Sequence, residues 1–246
     1  MKYCIAILCV VFIAFSCSRN RSEQKNVSTR SQASSLIHKN RAKDSDSENI
    51  KIEQIYKNKE KELLKKYPDV LLRKDDSTIE IKLINGDTII IRDKKLEDDL
   101  TLSHIFVDYL ELTFGAVIDA AYYEGEYWLH ISRKTGKIDT LFSEPIFNPS
   151  QNMLLCASRD IEAGFLANGI QIWSIKEGEL KLLYKLEEAW GPDSVKWITD
   201  SLITFYRVKL GNYSDYTLRP DSLLNNGDKW HTALPINPNE NNVDSM

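Results

Sequence analysis

The chain has 246 residues, 42% hydrophobic and 10% aromatic, with 32 Lys+Arg against 36 Asp+Glu for a formal charge of −4. These are globular values, so disorder along the whole chain is excluded, and ten Gly with seven Pro exclude collagen-like sequence. Charge is unevenly placed: residues 17–50 carry seven basic and four acidic groups, whereas residues 51–246 carry 24 and 32, a net −8. An acidic body argues against nucleic-acid binding through a basic face.

Met1-Lys2 precedes Tyr3–Ser16, fourteen uncharged residues rich in Ile, Val, Leu, Ala and Phe. A membrane-spanning helix needs about 20 apolar residues, so this run is too short to span. It has the proportions of a signal-peptide core behind a short positive segment. Ala14-Phe15-Ser16-Cys17 follows, then polar Ser18-Arg19-Asn20-Arg21. A small residue directly before Cys resembles a bacterial lipobox of the relaxed, Bacteroidetes type, with Ala14 and Phe15 where Leu and a small residue are usual. The resemblance implies that Cys17 becomes the lipidated mature N-terminus, anchoring the protein to a membrane of the cell envelope. An ordinary signal peptide cleaved nearby is the competing expectation.

Residues 17–49 read as a disordered tether, too poor in apolar residues to offset the entropy of ordering. Asp44-Ser45-Asp46-Ser47-Glu48 superficially suggests calcium ligands but lacks the central Gly and later Glu of an EF-hand loop. Over residues 50–67 the apolar spacing, with Lys and Glu between, predicts one amphipathic helix stopped by Pro68.

From residue 70 to 232 short β-rich runs alternate with turns. Thr78–Ile84 and Asp87–Arg92 flank Asn85-Gly86, which predicts a hairpin with a type I′ turn. Further runs cover 105–114, 116–123, 127–132, 137–142, 153–158, 169–175, 179–186, 195–199 and 202–209. Leu218-Arg219-Pro220-Asp221 and Asn225-Asn226-Gly227-Asp228 read as turns, Lys229-Trp230-His231 as a last strand, and 233–246 as a disordered tail. The fold class expected is all-β: an antiparallel propeller-like or stacked-meander domain preceded by one helix.

A faint repeat lies inside it. Gly136 and Gly178 end similar strand–turn segments 42 residues apart, and Phe147-Asn148-Pro149-Ser150 and Trp190-Gly191-Pro192-Asp193 lie 43 apart. These segments resemble degenerate turns of WD40-like and TolB-like propeller blades, and a period near 42 suits one four-stranded blade. The order of hairpin, Tyr-rich strands, Thr135-Gly136 turn, Glu144-Pro145-Ile146-Phe147-Asn148-Pro149 and Gly169-Ile170-Gln171-Ile172-Trp173 also resembles exported bacterial proteins, lipoproteins among them, a resemblance that implies no activity.

Chemistry-bearing residues are sparse. No nucleophile-elbow serine, phosphate loop or metal-ligand spacing is present, so no cofactor or catalytic residue is expected. His38 lies in the tether, His104 and His231 stand apart, and His130 reads as a surface or half-buried strand residue. Cys156 reads as a small core residue, and Trp128, Trp173, Trp190, Trp197 and Trp230 as packing aromatics. Carboxylates are plentiful, and Asp119, Glu124, Glu126, Asp160 and Glu162 are the first to inspect. Asp160 and Glu162, in a loop between strands, are the alternative acidic site, suited to acid–base work on a glycan. The preferred expectation is a binding or assembly domain held at the membrane by lipid on Cys17, with a possible protein partner in the envelope.

Overall fold

The computed structural model describes residues 45–96, 101–122, 125–211, 215–227 and 229–233, with side chains described from residue 54 onward. The chain divides into two units, Met1–Asp44 and Ser45–Met246, and every described residue belongs to the second. The signal segment, Cys17, most of the tether, Glu124 and the tail from 234 therefore lie outside the described residues.

Among the described residues one α-helix, α1 (Ser45–Lys66), precedes sixteen strands. It starts earlier than the apolar spacing suggests, and Lys65 and Lys66 occupy its last turn, matching the helix dipole. The strands form four antiparallel sheets in chain order. The first is β1 (Leu71–Asp75), β2 (Thr78–Lys82) and β3 (Thr88–Arg92). The second is β4 (Lys94–Lys95), β5 (Thr101–Leu110), β6 (Gly115–Tyr122), β7 (Gly125–Ser132) and β8 (Ile138–Leu141). The third is β9 (Ile146–Phe147), β10 (Met153–Ser158), β11 (Gly169–Lys176) and β12 (Glu179–Glu187). The fourth is β13 (Gly191–Thr199), β14 (Leu202–Leu210), β15 (Tyr216–Asn225) and β16 (Trp230–Ala233). Each sheet is a meander, and among the described residues they do not close into a ring.

Three hydrophobic cores separate these four sheets. Ile79 and Ile81 of the first sheet meet Phe106, Ile118 and Ile131 of the second, with Leu63, Leu64 and Tyr67 of α1 packed beside them. Val107, Val117 and Trp128 on the other face of the second sheet meet Leu154, Cys156 and Trp173 of the third. Leu155, Ile170 and Ile172 on the third sheet's other face meet Ile203, Phe205 and Leu223 of the fourth. The two middle sheets are thus buried on both faces. Their strands read as continuous apolar runs, such as Ala116-Val117-Ile118, because neighbouring residues feed different cores. Each fully buried aliphatic side chain contributes roughly 1.5–3 kcal/mol.

The helix closes an exposed edge. On β5 a bulge between Phe106 and Asp108 disturbs the ladder to β6, and Phe106 and Tyr109, three apart, still reach the same core. The buried Glu60 carboxylate of α1 accepts the Phe106 N–H at 2.9 Å and pairs with the Arg73 guanidinium, which also donates to the His104 carbonyl at 2.8 Å. A side chain thereby takes the place of a missing strand neighbour.

Several sequence expectations change at this level. The Asn85-Gly86 hairpin is present, yet only Gly86 has positive φ, and its N–H bonds Leu83 O at 3.2 Å. That is a type I turn followed by a left-handed glycine, a three-residue loop rather than type I′. The two-residue turn with both φ values positive is instead Glu177-Gly178, where Lys176 pairs directly with Glu179. Leu218–Asp221 is not a turn: it lies inside β15, where Pro220 sits opposite Tyr206 and β16 covers only Ser222–Asn225. An unpaired edge tolerates the missing N–H, which the turn-like composition disguised. Gly191-Pro192-Asp193 likewise belongs to edge strand β13 rather than to a turn before it. Strands β1, β4 and β9 have too little alternation to read in sequence.

The repeat has a structural counterpart. Gly86, Gly136, Gly178 and Gly227 all have positive φ, and each lies in the last hairpin of one of the four sheets. Neighbouring hairpins are tied together: Ile84 N–H donates to Arg133 O at 2.9 Å, and the Lys134 ammonium to Glu177 O at 3.0 Å.

Candidate functional site

The loop between β10 and β11 holds both residues of the alternative acidic site. Asp160 organises it: its carboxylate accepts the N–H groups of Phe165 at 2.6 Å, Leu166 at 2.8 Å and Ala163 at 3.3 Å. Gly164, at φ +73°, allows its N–H to return to Asp160 O. Glu162 is exposed and accepts the Tyr216 hydroxyl, and that hydrogen bond pushes the Tyr216 phenol above its ordinary value. The loop is therefore joined to the start of β15.

Around it runs a rim of aromatic and charged groups drawn from three sheets. Tyr122, against Tyr127 with ring centroids 6.4 Å apart, reaches Phe165 O with its hydroxyl. Phe165 itself is 49% exposed. Arg159 pairs with Asp193 of β13 and lays its stem against Gly191, where a Cβ would collide with it. Phe165 and Tyr216 offer faces for stacking and Glu162 offers an acceptor, a combination suited to holding a ligand by contact. Asp160, with its oxygens engaged by backbone, shapes the loop rather than facing a ligand.

The other singled-out carboxylates are dispersed. Asp119 is buried in β6 and Glu126 lies in β7. Among the described residues no group of three or more His, Cys, Asp or Glu side chains is arranged to hold a metal ion. Cys156 is wholly buried, and desolvation raises its thiol pKa far above the ordinary value, which suppresses the reactive thiolate. His104 is buried with Nδ1 3.1 Å from Asp93 Oδ1, and His231 is exposed. Trp128, Trp173, Trp190 and Trp230 are buried in the cores, as packing roles require.

His130 corrects its expectation, for it is completely buried rather than half-exposed. It sits on β7 opposite Val117 and Asp139, in the layer between the second and third sheets. Nε2 lies 2.8 Å from Thr113 Oγ1, which also reaches Leu110 O at 3.2 Å, while Nδ1 faces Asp139 Oδ2 at 3.9 Å. Space for the ring comes from Gly115, where a Cβ would stand 1.9 Å from Nε2. Burial pushes the imidazole pKa down to about 4, with Lys137 lowering it further and Glu179 opposing. Strand alternation could not find this cluster, since Thr113 and Asp139 approach His130 only after the sheet folds. Gly115 pairs with Ser132 and His130 with Val117, so no local pattern in the sequence marks their contact. No family model, curated protein or solved structure matches the chain.

Proposed function

We propose that the chain is a lipid-anchored cell-envelope protein whose β domain binds a partner or organises an assembly without catalysing a reaction. The observation that carries the anchor is Cys17 directly after a fourteen-residue uncharged run and before a polar segment. Among the described residues no helix is long and apolar enough to cross a membrane, so attachment in this reading rests on the lipid. The net −8 of residues 51–246 supports a protein partner over nucleic acid. Four consecutive meanders, each with a positive-φ glycine in its last hairpin, support a blade-like repeat architecture for the domain.

The binding reading draws on the rim at Phe165, Glu162 and Tyr216. A hydrolase built on Asp160 and Glu162 is the lesser reading, because three backbone N–H groups already engage the Asp160 carboxylate. Palmitate labelling of cells expressing the full chain tests the anchor: label is expected on the protein and absent from Cys17→Ala. Equal label in that variant rejects lipidation. Crosslinking in intact envelopes, followed by identification of a partner lost in Phe165→Ala, tests the binding role. Glycan turnover that depends on Glu162, with no such partner, would overturn it in favour of the enzyme.

A further inference from the structure

The buried His130 cluster has a hydrogen-bond count that neutral side chains cannot complete. Asp139 Oδ2, the two ring nitrogens, Thr113 Oγ1 and Leu110 O form a chain with three gaps: 3.9 Å, 2.8 Å and 3.2 Å. A neutral imidazole carries one N–H and the threonine one O–H, so two protons serve three gaps. If the hydroxyl donates to Leu110 O, the ring must donate from Nε2 and Nδ1 is left bare toward a carboxylate. If the hydroxyl donates to Nε2, Nδ1 bears the proton but Leu110 O loses its donor from Thr113. In either arrangement the 3.9 Å gap is too long for a hydrogen bond, and Nδ1 and Oδ2 are both buried without a partner. A protonated ring supplies a donor to every gap, and the 3.9 Å one becomes a hydrogen bond once it shortens.

We propose that His130 and Asp139 form a buried proton-uptake site, in which one added proton closes the gap between Nδ1 and Oδ2 and tightens β8 onto β7. Three charged groups bear on the ring. Glu179 on β12 favours imidazolium, Lys137 on β8 opposes it while holding Asp139 Oδ1 at 2.8 Å, and Asp139 on β8 stands 3.9 Å from Nδ1, where a shortened contact would favour the charged ring. Asp119 lies on the same face of β6 as Val117, opposite Trp128 rather than the ring. Desolvation confines uptake to the acid range, so the site is empty of its extra proton at neutral pH.

The consequence reaches beyond one side chain. Asp139 lies just past the hairpin 133–137, which contacts the sheets on either side. Arg133 Nε donates to Lys82 O of the first sheet at 2.6 Å. On the other side Ser132 Oγ donates to Glu179 Oε1 at 2.6 Å and Lys137 Nζ to Leu180 O at 3.3 Å. Drawing Asp139 toward His130 moves the carboxylate that anchors Lys137, so proton uptake is transmitted to the joint between the second and third sheets.

The test is nitrogen-resolved NMR of histidine-labelled full chain across an acid titration. Expected is a neutral ring at pH 7 that gains a second proton, so that both nitrogens carry one, with the fold intact, at a midpoint of about 4. Asp139→Asn should weaken proton affinity about tenfold or more, a drop of about one pH unit in midpoint. Lys137→Met, which keeps His130, Thr113 and Asp139 but frees Asp139 Oδ1 from its ion pair, should raise the midpoint and serves if the Asn variant fails to fold. A ring already charged at pH 7, a chain that unfolds before the ring titrates, or midpoints indifferent to the folded variants would each overturn the proposal.

Discussion

The second and fourth sheets are built from similar meanders but live in different surroundings. On β6 consecutive residues Val117 and Ile118 are both at 0% exposure, each in a separate core. On β14 Phe205 is 2% exposed while the next residue, Tyr206, is 45% exposed, and Leu210, Tyr216 and Leu218 on the same face are exposed although Val208 is buried. A central sheet thus commits nearly every side chain to packing, and a terminal one commits every other. What differs is the number of covered faces, and that sets where sequence change is tolerated.

Truncation is the sharpest way to break the contrast. Phe106→Ala, in the first core beside the β5 bulge, should cost about 3–5 kcal/mol in chemical denaturation. Acid comes next. The folded imidazole of His130 sits near 4 against 6.5 unfolded, so the unfolded chain binds more protons in that window. Stability is therefore complete above pH 6.5 and declines as pH falls toward 4, by roughly 3 kcal/mol for this group. Denaturation midpoints of the wild type against His130→Gln should diverge most at neutral pH and converge as the pH falls, and a constant offset would contradict the sign.

Smaller effects sharpen it further. Glu60→Ala removes the acceptor shared by Arg73 and the Phe106 N–H, and a loss of about 2–3 kcal/mol is expected. Hydrogen exchange should then rise first at β5, since α1 covers that edge. Asn148→Ala should cost about 1–2 kcal/mol: the side chain accepts the N–H groups of Asn152 and Met153 and donates to Asp200 of the β13–β14 turn. Least affected should be Leu218→Ser, on the exposed face of the fourth sheet, with thermal stability changed by under about 0.5 kcal/mol. A larger loss there would mean that face is covered in the native protein.

The sites followed a similar division. Asp160 and Glu162 were visible as an acidic loop, but their different roles were not. The backbone N–H groups that engage Asp160 belong to residues three to six positions on and depend on Gly164 reversing the chain. Glu162 found its partner, Tyr216, across 54 residues. The His130 cluster is harder still, because its members come from β7, β8 and the turn after β5.

Sequence by itself determined the antiparallel β class, the helix before it, the main hairpins and the turn glycines, since period-2 alternation and positive-φ glycines act over a few neighbouring residues. Strands such as β15 escaped because an edge position accepts Pro220 and polar residues that read locally as a turn. Tertiary structure alone decided that the sheets stack with three cores between them, which residues of an apolar run face which core, and that a lone strand histidine is sealed against Thr113 and Asp139. Those outcomes depend on which surfaces meet across long stretches of chain, and burial then changes what each side chain is chemically able to do.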